Sequence, residues 1–169
     1  KSQKLSAACS VGVVMGSDSD LPVMQRCLET LESFGIGYEV RIISAHRTPQ
    51  IAHEYATTAA ARGLKVLIAA AGMSAALGGV LAAGTTLPVI GVPMASGPLA
   101  GVDAALSTMQ MPPGVPVACL AIDQAGATNA GIFAAQILAV ADKAIAARLV
   151  EFKKDQARKV VEKDQALRR

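Results

Sequence analysis

Short apolar segments alternate with amphipathic segments along most of this chain, and this alternation limits its possible folds more than any other feature. Residues 10–15 are nearly all apolar and rich in valine, and residues 21–34 then carry apolar side chains at helical spacing. The same change of pattern recurs down the chain. A strand that is apolar on both sides is typical of a parallel sheet covered by helices on both faces. The sequence therefore predicts an α/β protein with a central parallel sheet.

The pattern predicts five strands and the helices between them. Strands are expected at residues 10–15, 38–43, 65–70, 87–92 and 115–122. Helices are expected at residues 21–34, 49–61, 75–83, 101–109 and 127–148, followed by a charged helical tail. A chain of 169 residues is most simply one domain, so we expect one α/β domain over residues 1–149. Residues 150–169 then form a C-terminal helical arm that packs on a neighbouring subunit or stays solvated.

Composition argues against a membrane or a nucleic acid as partner. Residues 66–102 carry no charge, but glycines and the prolines Pro88, Pro93 and Pro98 interrupt this stretch at short intervals. It therefore fits a buried strand, turn, helix and strand better than a membrane span. Aromatic residues make up only 3% of the chain and the net charge is +3, so no platform for stacking bases is evident.

The three cysteines predict no metal or redox site. Cys9, Cys27 and Cys119 are far apart, and their spacing fits neither a zinc site nor a redox pair. The two histidines stand seven residues apart with no cysteine near them, which argues against a metal cluster. We therefore expect buried free thiols in a reducing, cytoplasmic protein without metal or cofactor.

The first of two polar turns reads Gly-Ser-Asp-Ser-Asp at residues 16–20, between the first strand and the first helix. The free backbone N–H groups at a helix N-terminus favour phosphate, and the hydroxyls of Ser17 and Ser19 can add donors. Asp20 can accept hydrogen bonds from ribose hydroxyls. The alternative is that Ser19 or Asp20 only caps the helix.

The second polar turn, Ser-Ala-His-Arg-Thr-Pro at residues 44–49, follows the second strand. His46 can transfer protons near neutral pH, and Arg47 can bind a phosphate with its forked N–H groups. The alternative for Arg47 is a salt bridge to an acidic neighbour. The other histidine, His53, is beside a glutamate on the polar side of a predicted helix, so we expect it at the surface.

A third turn at the carboxyl end of a strand consists of small residues. Ala71, Gly72, Met73, Ser74 and Ala75 contain no acid–base group, but they allow the backbone to approach a ligand closely. Tight packing of a helix against a strand explains the same residues equally well. In a parallel sheet the carboxyl ends of the strands meet at one edge, so we expect the turns at Gly16, Ser44, Ala71 and Pro93 to lie together there.

Four motifs in this order resemble one known family, the carboxyaminoimidazole ribonucleotide mutases and aminoimidazole ribonucleotide carboxylases of purine biosynthesis. They are GSDSD at residues 16–20, SAHRTP at 44–49, LPVIGVP at 87–93 and QMPPGVPV at 110–117, within a match over about residues 11–147. The resemblance implies a flavodoxin-like three-layer α-β-α sandwich with a protruding C-terminal helix. It also implies a homo-octamer, or a tetramer in one branch, with sites at subunit contacts, and it implies no cofactor.

The resemblance also assigns roles to residues. It implies that Ser17, Asp20 and Arg47 bind the ribonucleotide substrate, with Ser19, Ser44 and Ala45 close by. His46 matches the general acid–base of the family. The loop from Ala71 to Ala75 matches the part that surrounds the carboxylate or carbon dioxide.

One departure from the family pattern leaves the reaction open between two activities. Mutases usually read Ala-Ala-His-Leu-Pro-Gly where this chain has Ala75, Ala76, Leu77, Gly78 and Gly79, so Ala76 replaces a second histidine. Ser74 is similar to the Ser-Asn of animal-type carboxylases, which take free carbon dioxide. We expect a mutase that moves a carboxylate from N5 to ring C4. The alternatives are a carboxylase that uses carbon dioxide directly, a subunit that works with another purine enzyme, and a non-catalytic module that binds nucleotide phosphates.

Overall fold

The computed structural model describes residues 9–168, so residues 1–8 and 169 of the predicted domain and arm lie outside the described part. Five parallel strands form one sheet in the order β2-β1-β3-β4-β5. The strands are β1 (Cys9–Met15), β2 (Gly37–Ile42), β3 (Val66–Gly72), β4 (Val89–Met94) and β5 (Ala118–Cys119). The helices are α1 (Leu21–Ser33), α2 (Pro49–Ala59), α3 (Leu77–Ala83), α4 (Val102–Met109), α5 (Asp123–Ala139) and α6 (Lys143–Leu167).

This strand order is that of the flavodoxin-like fold, which confirms the expected architecture. Helices α1 and α5 cover one face of the sheet, and α2, α3 and α4 cover the other. Val13 of β1 is fully buried and lies in register with Val40 of β2 and Ile68 of β3. The charge-free stretch forms β3, α3 and β4 inside this core, as expected, and no helix in the described part of the chain is long and apolar enough to cross a bilayer.

Small residues allow α5 to lie directly against α1. A Cβ atom at Gly131 would lie 2.8 Å from Thr30 Cβ, closer than real Cβ contacts come, and 3.0 Å from the Cys27 carbonyl oxygen, which is tighter than most of them. The buried side chains of α5 are mostly alanines, namely Ala127, Ala130, Ala134 and Ala135. This contact fixes α1, and therefore the turn that precedes α1, against the sheet.

Two predicted elements differ from the structure. The single helix expected at 127–148 is two helices, because the chain bends after Ala139 and the Asp142 carboxylate accepts hydrogen bonds from the N–H groups of Ala144 and Ile145 at 2.9 and 3.1 Å. The strand expected at 115–122 is only two residues long. Pro116 lacks an N–H donor there, and β5 has a neighbour on one side only.

The charged tail is helical, as expected, and α6 runs without interruption from Lys143 through residue 150 to Leu167. Its first turns pack on the domain. Phe152 contacts Phe34 edge to face with ring centroids 5.5 Å apart, and Arg148 donates to the Phe34 carbonyl oxygen. Beyond residue 152 the described side chains are exposed, and ion pairs within the helix link them. Whether this arm packs on a neighbouring subunit stays a prediction.

Candidate active site

A cleft of about 640 Å³ opens at the carboxyl edge of the sheet, where the turns after β1, β2, β3 and β4 meet as expected. Two sets of residues line it. One set, which we call the charged half, comes from the polar turns and comprises Gly16, Ser17, Ser19, Asp20, Ser44, Ala45, His46 and Arg47. The other, which we call the small-residue half, comprises Ala71, Gly72, Met73, Ser74, Ala76, Leu77 and Ser96.

A capping box shapes the turn after β1. The hydroxyl of Ser17 accepts from the N–H of Ser19 at 3.3 Å, and the Asp20 carboxylate accepts from the N–H of Ser17 at 3.3 Å. Ser17 is therefore the cap of the short 3-10 turn at residues 18–20. Asp20 stands at the N-cap position of α1, as the alternative interpretation allows, but its side chain accepts no hydrogen bond from an N–H group of α1. The Ser19 hydroxyl donates to the Ser17 hydroxyl at 2.9 Å, so both hydroxyls stand together at the cleft.

Asp20 is a buried carboxyl group, with 7% of its surface exposed. Burial raises its pKa above the ordinary value, and the nearby negative charges of Asp18 and Asp123 act in the same direction. The hydrogen bonds from Ser17 and Ser19 oppose this shift without cancelling it. A buried acceptor at the floor of a cleft is well placed to bind ligand hydroxyls.

Ser44 and Thr48 hold the turn after β2 in shape. The N–H of Thr48 donates to the Ser44 carbonyl oxygen at 2.8 Å, and the N–H of Ser44 donates to Thr48 Oγ1 at 3.1 Å. Arg47 then bridges the two polar turns, because its Nε donates to Ser44 Oγ at 3.3 Å and its Nη2 to the Gly16 carbonyl oxygen at 3.2 Å. No carboxylate between residues 9 and 168 forms a salt bridge with Arg47, so its charge is not neutralised there.

His46 lies in the middle of this turn, with its side chain exposed along the cleft. An imidazole in this position is accessible to a ligand that occupies the cleft and is separate from the hydrophobic core. His53, by contrast, is exposed on α2 and does not line the cleft, which confirms the expected surface position.

The loop after β3 packs against the loop after β4. A Cβ atom at Gly72 would overlap Ser96 Oγ and would lie 3.0 Å from Ser96 Cβ. Next to this contact, Met73 has a left-handed backbone with φ of 55° and its side chain packs beside Gly97. The glycine at position 72 is therefore required by the close approach of the two loops, and this approach forms the wall of the small-residue half.

The structure brings all the predicted site residues but one into this cleft. Ala75 is buried and does not line it, whereas the next residue, Ala76, does. Sequence reasoning left Gly16, Ala76, Leu77 and Ser96 out of the predicted site. Ser96 follows β4 on the edge where the strands end, and this topological position was the signal that could have found it.

Within residues 9–168, the titratable and thiol groups outside the cleft do not form a second centre. In the part of the chain from Cys9 to Arg168 no three His, Cys, Asp or Glu side chains form a group that could hold a metal ion. The cysteines there are free thiols, of which Cys27 is fully buried and the other two are half-buried. Burial raises the pKa of Cys27 to about 12, which keeps this thiol protonated.

Relatives of this chain share its sequence over nearly the whole length. The family model described as AIR carboxylase matches residues 10–159. A protein of Thermotoga maritima is 53% identical over 157 residues, which cover 93% of this chain and 91% of that protein. One of Bacillus subtilis is 49% identical over 157 residues, covering 93% and 97%. Both relatives carry the name N5-carboxyaminoimidazole ribonucleotide mutase.

Solved structures share the fold. The crystal structure of PurE from Treponema denticola superposes with a TM-score of 0.84 at 32% identity, covering 94% of this chain and 98% of that one. A PurE2 variant of the same organism gives 0.87 at 31% identity, covering 96% and 100%. Since the family model matches far more than half of the sequence, the chain belongs to the AIR carboxylase family.

Proposed function

We propose that this chain is an N5-carboxyaminoimidazole ribonucleotide mutase of de novo purine biosynthesis, which moves a carboxylate from N5 to ring C4 of its substrate. Family membership and the name shared by relatives at about 50% identity support this proposal. The observation that carries it is one cleft in which an accessible imidazole, His46, stands beside an unneutralised guanidinium, Arg47, and opposite a wall of small residues.

The charged half fits the ribose phosphate of the nucleotide. Arg47 has N–H groups left for an anion after its bonds to Gly16 and Ser44, and a guanidinium binds phosphate oxygens in a forked geometry. The hydroxyls of Ser17 and Ser19 donate to Asp18 and to Ser17 in the free protein, and they add donors for the phosphate when they rotate toward it. The buried Asp20 carboxylate accepts hydrogen bonds from the ribose hydroxyls, and Ser44 holds Arg47 in place.

His46 serves as acid and then as base in the proposed reaction. The bond between N5 and the carboxylate carbon breaks, its electron pair stays on N5, and N5 takes a proton from His46. Carbon dioxide remains in the small-residue half. An electron pair of the ring then forms the bond from C4 to this carbon, and His46 removes the proton from C4. The imidazole thus ends the cycle protonated, as it began.

This scheme requires no added cofactor, because the substrate supplies both the carboxylate and the electron pair. Proton transfer by one positioned group typically contributes about a hundred- to ten-thousand-fold in rate. Retention of carbon dioxide beside C4 adds an entropic gain, since the second step does not wait for capture from solution.

Two assays with the purified protein test the proposal. The first supplies the carbamate nucleotide without bicarbonate, and the second supplies aminoimidazole ribonucleotide with a high concentration of bicarbonate. A mutase forms the C4-carboxylated product rapidly in the first assay. Slow or absent product there, with rapid product in the second, refutes the mutase assignment.

Direct carboxylation of aminoimidazole ribonucleotide is the second candidate, and one residue favours it. Ala76 lines the cleft at the position where mutases usually have a histidine. The same pair of assays decides between the candidates. A variant Ala76→His, tested in both, shows whether an imidazole at this position changes the preferred substrate.

We further propose that the protein is a cytoplasmic homo-octamer, with a tetramer as the alternative. Exposed apolar side chains on α4 and just before it support an assembly, since Leu99, Val102, Leu106 and Met109 are each at least half exposed in the single chain. Light scattering on the purified protein distinguishes eight copies of the 17.2 kDa chain from four. A monomer at working concentration contradicts both.

A further inference from the structure

Ser96 is a residue of the cleft that packs closely against the neighbouring loop and whose hydroxyl has no assigned role. It follows β4, at the end of the cleft that β3 and β4 form. Its side chain occupies the space that a side chain at Gly72 would take, so the glycine makes room for this hydroxyl. The Ser96 backbone N–H donates to the Met94 carbonyl oxygen at 2.9 Å, which fixes the residue in its turn.

The Ser96 hydroxyl keeps its hydrogen-bonding capacity free. It is half-buried, and within residues 9–168 it has no hydrogen-bond partner. The small-residue half holds one other hydroxyl, that of Ser74 in the exposed turn after β3, whereas Ser96 is half-buried and packs directly against Gly72. Because this hydroxyl faces the open cleft, a bound polar atom can replace water as its hydrogen-bond partner.

On the basis of the proposed function, we propose that Ser96 is a substrate-contacting residue whose hydroxyl donates a hydrogen bond to an oxygen of the migrating carboxylate. The part of the cleft that Gly72, Ala76 and Leu77 line beside Ser96 is largely apolar, which suits neutral carbon dioxide after the bond to N5 breaks. As C4 bonds to carbon dioxide, negative charge develops on its oxygens. A donor fixed beside those oxygens therefore binds the transition state of this second step more strongly than neutral carbon dioxide.

This role predicts that Ser96 keeps carbon dioxide in the cleft until the new bond forms. Without the hydroxyl the second step slows, while escape of carbon dioxide to solution does not. More of the substrate then ends as aminoimidazole ribonucleotide, and the product acquires carbon from dissolved bicarbonate. A residue that only supports the fold would lower the rate without changing this partition.

The test uses substrate carrying carbon-13 in its carboxylate, with unlabelled bicarbonate and the full chain. The fraction of label retained at C4 is measured for the wild type, Ser96→Ala and Ser96→Cys, and Ser107→Ala is the matched control on the exposed side of α4. We expect a fall in kcat of about ten- to a hundredfold in both Ser96 variants, with most label lost and nucleotide affinity unchanged. The control should match the wild type. Because the two variants differ in size and polarity, the test holds if either folds.

Two results would overturn the inference, and they can be told apart. If the wild type converts the substrate and a folded Ser96 variant retains label as the wild type does, Ser96 does not contact the migrating group. If the wild type itself does not convert the carbamate nucleotide, the proposed function fails first, and the role of Ser96 fails with it.

Discussion

The two halves of the cleft are held in shape by different forces. Hydrogen bonds fix the charged half: Ser17 and Asp20 close one turn, Ser44 and Thr48 close the other, and Arg47 joins the two. Close packing fixes the small-residue half, where the loops after β3 and β4 fit into each other. The charged half can therefore exchange its hydrogen bonds for bonds to a ligand, whereas the shape of the small-residue half depends on the contact between Gly72 and Ser96.

This difference matches the two tasks of the proposed reaction. A phosphorylated sugar needs charge and several donors, which the charged half offers. Carbon dioxide is a small neutral molecule, and the small-residue half offers it a surface of small and apolar residues. Substitutions in the two halves should consequently affect different quantities, namely affinity in one and turnover or its partition in the other.

Substitution of His46 should have the largest effect. His46→Asn keeps a polar side chain of similar size but removes the acid–base group, so kcat should fall by about a hundred- to ten-thousand-fold while nucleotide affinity stays nearly unchanged. Steady-state kinetics and calorimetric titration measure both. His53→Asn, at an exposed position on α2, is the matched control and should behave as the wild type. Normal turnover by His46→Asn would contradict the assigned role.

Gly72→Ala should disrupt the packing of the loops that form the small-residue half. The new Cβ atom would overlap Ser96 Oγ, and such overpacking costs about 1–3 kcal/mol of stability. Because the loop must move, we expect kcat to fall by about tenfold or more while affinity for the nucleotide changes little. Gly79→Ala is the control, since its Cβ would meet only the flexible Met111 side chain. If Gly72→Ala lost affinity for the nucleotide while kcat stayed unchanged, the assignment of turnover to the small-residue half would be wrong.

Arg47→Ala should instead weaken binding. Loss of a charge-assisted contact to phosphate costs about 1.5–3 kcal/mol, which is about a ten- to hundredfold rise in Kd for the ribonucleotide. Titration calorimetry measures this directly, with Arg26→Ala on the exposed side of α1 as the control for a lost positive charge. Equal affinity in the Arg47 variant would point to another phosphate ligand.

Asp20→Asn should give the smallest effect, on stability. Burial raises the pKa of Asp20 in the folded protein, so its ionisation costs stability as pH rises through that pKa. The asparagine variant avoids this cost and should be more stable near neutral pH, by no more than about 1 kcal/mol.

The stability difference between Asp20→Asn and the wild type should depend on pH, and this dependence tests its cause. As pH falls below about 3.8, the ordinary value for this carboxyl group, both proteins are neutral at position 20 and the difference should vanish. Thermal unfolding at a series of pH values from acidic to neutral measures this stability difference, and Asp18→Asn is the control at an exposed position. The same Asp20 variant should bind the nucleotide more weakly. If it were more stable than the wild type only at low pH, the direction of the pKa shift assigned to Asp20 would be wrong.

Periodicity in the sequence was enough to predict the sheet and most helices, because a strand apolar on both sides and a helical repeat leave few alternatives. The break between α5 and α6 was not predicted, since Val140 and Ala141 continue an apolar pattern. Asp142 was the available signal, as a side chain suited to cap a helix. The fifth strand proved shorter because an edge position next to Pro116 supports few ladder hydrogen bonds.

The charged half was predictable because few residue types bind phosphate or transfer protons at neutral pH, and His46 and Arg47 stand at a strand end. The small-residue half was harder to read. Glycine, alanine and serine are common in every turn, so nothing local distinguishes Ser96 from a residue that merely shapes its loop. Its importance depends on contact with Gly72 across the sheet edge, which only the folded chain displays.

The most direct test of the different roles assigned to the two halves of the cleft is a crystal structure of the His46→Asn protein with the carbamate nucleotide bound. We expect the phosphate to contact Arg47 and the hydroxyls of Ser17 and Ser19, and the carboxylate to lie in the small-residue half beside the Ser96 hydroxyl, with C4 facing position 46. A nucleotide bound in the opposite direction, with its phosphate against Gly72 and its heterocycle away from position 46, would contradict the account.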